Sequence, residues 1–123
     1  MMHRNFLTEP LGTFANCHGG EGVLRHMEVF GQGEFQAAIH FMNYTVLPPN
    51  TSIGLHRHGD DQEVYVILQG QGEMELDGQI YPAKPGDVYV NAPGGTHGLR
   101  NTGSEDLAVL VFESPCLKET GKE

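Results

Sequence analysis

An all-β sandwich or barrel is the fold class this sequence predicts, and three observations predict it. Turn-forming residues recur at short intervals, with 17 Gly and 7 Pro in 123 residues. β-Branched and aromatic residues fill the segments between them. No stretch sustains a helical apolar period for more than two turns. The length suits one domain with a real core, and residues 1–123 are read as a single unit without repeat or linker.

Taken in order, residues 1–20 read as irregular and peripheral, with His3 and His18 solvated and Gly19-Gly20 too bare to signal phosphate binding. Residues 21–30 alternate loosely and predict an edge strand, closed by the turn Gly31-Gln32-Gly33. Residues 35–47 predict the longest strand, stopped by Pro48-Pro49-Asn50, which cannot continue a ladder. In the strand Val64–Leu68, Tyr65 and Ile67 share one face with Glu63, while Val64, Val66 and Leu68 take the other. Both faces are apolar, so both are expected to be covered, and the second cover is expected to be a partner subunit in a homodimer. Glu73–Leu76 alternates as a strand with one wet face. Asp77-Gly78 is the preferred two-residue hairpin turn, and Gln79–Tyr81 returns from it. Lys84–Asp87 turns into a strand at 88–90, Pro93–Thr96 bends the chain into His97, and 101–106 is a polar loop. Leu107–Phe112 closes the core as a last strand, and residues 114–123 are expected to be peripheral and frayed.

The chemistry centres on His56-Arg57-His58-Gly59-Asp60-Asp61-Gln62-Glu63. Two histidines one residue apart project from the same strand face, while Arg57 between them points away. Glu63 follows a short polar turn, which restores a carboxylate to that face. Two imidazoles and a carboxylate aimed at one point suit a divalent transition metal, with His97 as the fourth donor. Arg100 alternates out of the site. Tyr65, Ile67 and Leu99 are expected to line the barrel around the metal. Tyr44, His40, Gln62 and Tyr89 join Tyr65 as candidate pocket residues, although an ordinary strand role competes for His40 and the tyrosines. No further acid stands out beside the ligands as a proton donor.

These residues resemble the cupin family. Its first motif runs Gly, five residues, His-x-His, three or four residues, Glu, six residues, Gly; His56, His58, Glu63 and Gly70 stand at that spacing, with Asn50 in place of the opening glycine. Its second runs Gly, five residues, Pro-x-Gly, two residues, His, three residues, Asn; Gly86, Gly94, His97 and Asn101 match, while Ala92 holds the proline position and Pro93 comes one residue late. The motif core spans 50–101, with the short inter-motif segment 71–85 seen in compact bacterial members. The resemblance implies a jelly-roll barrel and one metal ion held by His56, His58, Glu63 and His97, Mn or Fe leading and Zn, Ni, Cu or Co conceivable. It is similar to single-domain members related to oxalate decarboxylase, including oxalate-binding ones. An oxygenase or decarboxylase acting on a small carboxylate is the first expectation. A sugar or uronate isomerase or epimerase, or a non-catalytic ligand sensor, are the alternatives, because the fold hosts many reactions.

A net charge of −9 disfavours nucleic acid and anionic membranes as partners. No apolar run is long enough for a membrane span and no leader is read at the N-terminus, so a cytoplasmic location is the default expectation. Cys17 and Cys116, near opposite ends of the chain, are expected to be reduced thiols without a metal role.

Overall fold

Period-two alternation builds ten strands in the computed structural model, which describes residues 1–117. They are β1 (Gly12–Ala15), β2 (Val23–Phe30), β3 (Phe41–Leu47), β4 (Ser52–Arg57), β5 (Asp61–Gln69), β6 (Gly72–Leu76), β7 (Gln79–Ala83), β8 (Val88–Asn91), β9 (Thr96–Asn101) and β10 (Leu107–Pro115). Two antiparallel sheets face each other as a jelly roll, one ordered β1-β2-β3-β10-β5-β8 and the other β4-β9-β6-β7. Among the described residues there is no α-helix; Cys17–Gly19 forms one 3-10 turn.

The main core lies between the sheets and includes Leu24, Leu47, Tyr65, Ile67, Met74, Leu99, Leu107 and Val109. Its closure uses the hairpin read from the sequence. Asp77 and Gly78 both adopt positive φ (48° and 84°), as the two-residue turn joining β6 and β7 requires. Gly70 has φ 87° and backs onto the carbonyl of Asp106, so no side chain fits there. Asn50, standing where the motif has glycine, meets the same demand with φ 66°. Asn101 ties the barrel end together: its Nδ2 donates to Leu47 O (2.8 Å) and Glu105 O (2.7 Å), and its Oδ1 accepts from Gly103 N.

Three expectations are corrected. The predicted edge strand at 21–30 is interior, because β1, formed by residues read as irregular, pairs outside it. The long strand at 35–47 begins only at Phe41, and residues 31–40 make turns and bends. The final strand runs on to Pro115 rather than fraying at 114, while residues 118–123 lie outside the described part. The outward face of the large sheet is covered in half by the chain itself: Phe6 stacks on Tyr44 (4.2 Å between ring centroids), and Leu11 packs with Val29, Val46 and Ala108. The other half, over β5 and β8, keeps Leu68 40% and Val88 and Val90 each 56% exposed.

Candidate metal centre

The two histidines of β4 and its extension converge with His97 because β4 and β9 pair with His56 opposite His97. Glu63 comes from the facing sheet, at an inward position of β5. One donor atom from each of His56, His58, Glu63 and His97 lies within 4.8 Å of the others. Glu63 Oε1 is 3.0 Å from both His58 Nε2 and His97 Nε2. Donors on adjacent corners of an octahedron with bonds of about 2.1 Å sit about 3.0 Å apart.

The ring orientations are set from behind. His56 Nδ1 donates to Gly54 O at 2.7 Å and His58 Nδ1 to Asp61 Oδ1 at 3.0 Å. Each leaves its Nε2 as a lone-pair donor turned toward the cluster, and both Nε2 atoms are buried without a hydrogen-bond partner. Buried polar atoms are seldom left unpaired, so these two orphans fit a metal. His97 is 1% exposed and held by packing: its ring stacks on His58 (4.8 Å, 1°) and meets Tyr65 edge-on, with Nδ1 unpartnered. Burial pushes the His56 imidazole down to about 4, its bond to Gly54 opposing, so this ring is neutral at physiological pH, the state that ligates.

Beside the cluster is a cavity of about 80 Å³, lined by Cys17, His18, Asn43, Thr45, Glu63 and Tyr65 among others. Burial pushes the Cys17 thiol up to about 11, helped by the Glu63 charge, so it faces the cavity as a neutral thiol. Burial raises the Tyr65 phenol likewise. His18 lies flat on His56, with ring centroids 3.7 Å apart. Both cysteines are free.

Of the candidate pocket residues, only Tyr65 borders this cavity. Tyr44 faces the opposite side of β3, under Phe6, because strand parity gives the inward positions to Asn43 and Thr45. Gln62 shares the outward face of β5 with Val64. Tyr89 turns inward, but its hydroxyl donates to Pro82 O. His40 stands behind His58 and pairs with Glu113 (2.9 Å). Arg57 and Arg100 are exposed, as parity requires.

Sequence reasoning missed the acids. Asp61 Oδ1 and Glu113 Oε2 lie 3.0 and 3.5 Å from His58 Nδ1. Burial raises the Glu113 carboxyl, and Asp61 beside it adds to the rise against the His40 bond. Asn91, the cross-strand partner of Glu63, is 3% exposed with neither side-chain polar atom paired. His18, read as solvated, is exposed, and its ring also lies on that of His56.

A family model described as a cupin domain matches residues 43–113. The chain is 33% identical to an oxalate-binding protein of Thermotoga maritima over 79% of this chain and 80% of that protein. It is 30% identical to a 5-nitrosalicylic acid 1,2-dioxygenase of Bradyrhizobium, over 63% of this chain but only 37% of that enzyme. A crystal structure of a predicted oxalate decarboxylase from Thermotoga maritima superposes with a TM-score of 0.89 at 29% identity, covering 93% of this chain and 99% of that one.

Proposed function

Because the chain belongs to the cupin domain family, we propose that it holds one divalent transition-metal ion on His56, His58, Glu63 and His97 and binds a small carboxylate against it. The carrying observation is the convergence of one donor atom from each of these four residues within 4.8 Å, with the Nε2 atoms of His56 and His58 buried and unpartnered, beside a small cavity. A bound divalent ion supplies a Lewis-acid centre with open positions for oxygen donors. Three neutral imidazoles and one carboxylate leave that centre a net positive charge, which draws an anion in surroundings poorer in water than bulk.

The chain's own residues set the size and polarity of what enters. A cavity of about 80 Å³ suits a ligand of a few heavy atoms. Asn43, whose Oδ1 is buried and unpaired, lines it, and Thr45 is engaged by His26 at 2.9 Å. Mn and Fe remain the leading ions on the donor set, which mixes imidazole nitrogen with carboxylate oxygen. The likeness to an oxalate-binding protein supports a dicarboxylate, and the dioxygenase relative supports a turnover reading for the same centre.

Calorimetric titration is the direct test. Oxalate is expected to bind the Mn-loaded protein and not the metal-free protein, with acetate at least about tenfold weaker for want of a second donor oxygen. Equal oxalate binding with and without metal would remove the proposal. Incubation of the loaded protein with oxalate under oxygen, followed for carbon dioxide release and oxygen uptake, separates decarboxylation from oxygenation and both from simple binding.

The bare half of the large sheet supports a homodimer. Two cross-strand rows, Phe112–Val64–Val90 and Leu110–Val66–Val88, present six uncharged apolar side chains outward. Two copies of an acidic chain meet there without opposing charges. Light scattering at micromolar concentration is expected to give twice the chain mass, and Val88→Asp with Val90→Asp is expected to halve it. A monomeric mass for the unmodified protein refutes the dimer.

A further inference from the structure

On the far side of His58 lies a second group of donors that the centre above does not use. His40 Nδ1 is 2.9 Å from Glu113 Oε1, and Asp61 brings a carboxylate oxygen to the same place. One donor atom from each lies within 4.8 Å of the others. Backbone pairing delivers all three. The His40 N–H donates to Glu113 O at 2.7 Å, and β10 lies alongside β5 with Pro115 opposite Asp61 and Glu113 opposite Glu63.

Among the described residues no cationic side chain balances the charge of this group: Arg4, Arg25, Lys84 and Arg100 form their ion pairs elsewhere, and no Lys or Arg meets Asp61 or Glu113. The His58 Nδ1–H is a single donor facing both carboxylates, at 3.0 and 3.5 Å. Two carboxylates this close call for a shared proton or a cation between them. One imidazole nitrogen with two carboxylate oxygens suits a divalent transition ion better than the all-oxygen shell that calcium takes. Access exists as well: the His40 and Asp61 side chains are 34% and 24% exposed, while that of Glu113 is 12% exposed.

We propose that His40, Asp61 and Glu113 form a second divalent-cation site, separated from the first by the imidazole of His58. His58 then faces a cation on each side of its ring, with Nε2 toward the first centre and Nδ1 toward the carboxylates of the second.

The test is metal stoichiometry on the full chain. Metal-free protein is equilibrated with excess Mn²⁺ or Zn²⁺, passed through a desalting column, and assayed for metal per chain. Wild type is expected to carry two equivalents, and His40→Ala and His97→Ala one each. One equivalent in wild type, lost in His97→Ala and kept in His40→Ala, overturns this site and leaves the first standing. One equivalent lost in His40→Ala and kept in His97→Ala supports this site and overturns the first. Two equivalents retained by His40→Ala also overturn it. Circular dichroism identifies a variant that folds poorly, and Glu113→Gln then replaces His40→Ala as the reading of this site, with the same expected and overturning outcomes.

Discussion

Replacing His58 with Ala is expected to lower divalent-metal affinity by more than about a hundredfold, beyond the 10–100-fold that loss of an outer partner of a metal ligand costs. The substitution removes one of four donors, and it also leaves Asp61 and Glu113 without the N–H they face. Two carboxylates then repel each other beside a site that has lost a ligand. Asp61→Asn keeps the ligand but weakens what orients it, so its loss is expected to fall within the 10–100-fold range. Arg57→Ala is the control, since this exposed side chain leaves β4 on the other face. Equilibrium titration with Mn²⁺ or Co²⁺ measures all three. Full metal occupancy in His58→Ala at micromolar metal means the donor set is misassigned; a collapse in Arg57→Ala means the strand face is.

The convergence of His56, His58, Glu63 and His97 was legible because its evidence is local: His-x-His fixes a common face by parity, and the spacing of glycines around Glu63 and His97 fixes the turns. The failures have a common cause. Glu113 continues the inward series Leu107, Val109, Val111, so parity alone reaches it once the strand runs past Phe112. A carboxylate at an inward position of an apolar strand was the available signal. Tyr44 was misplaced for the opposite reason. Parity says that Tyr44 and Asn43 face opposite ways, but only the docking of Phe6, far off in sequence, shows which way is out. His40 and His18 follow no strand period at all, and long-range backbone pairing alone brings them to either side of the histidine cluster. β1 carries four exposed residues, so no apolar alternation marked it.

Gly54→Ala is expected to cost about 3 kcal/mol, the upper part of the usual range for overpacking, and on the order of 10 °C in Tm for a domain of this size. A methyl at residue 54 runs into the carbonyl of His18 and comes within 2.6 Å of the Gly20 amide nitrogen. A methyl at residue 20 meets β4 in return, at 2.6 Å from the Gly54 nitrogen, so the two glycines form one close contact between the Cys17–Gly19 turn and β4. Both neighbours are backbone, so no side-chain rotation relieves the clash and the turn must lift or β4 must move. Either movement takes His18 off the face of His56, draws Cys17 out of the cavity wall, and disturbs the Gly54 carbonyl that orients His56. Carboxylate affinity is therefore expected to fall along with Tm, and oxalate titration of the metal-loaded variant reads that loss separately from stability. Gly59→Ala is the matched control, because a methyl there meets nothing within 4 Å. A Gly54→Ala protein that melts within a degree or two of Gly59→Ala and binds oxalate as tightly would show that the turn does not wall the site.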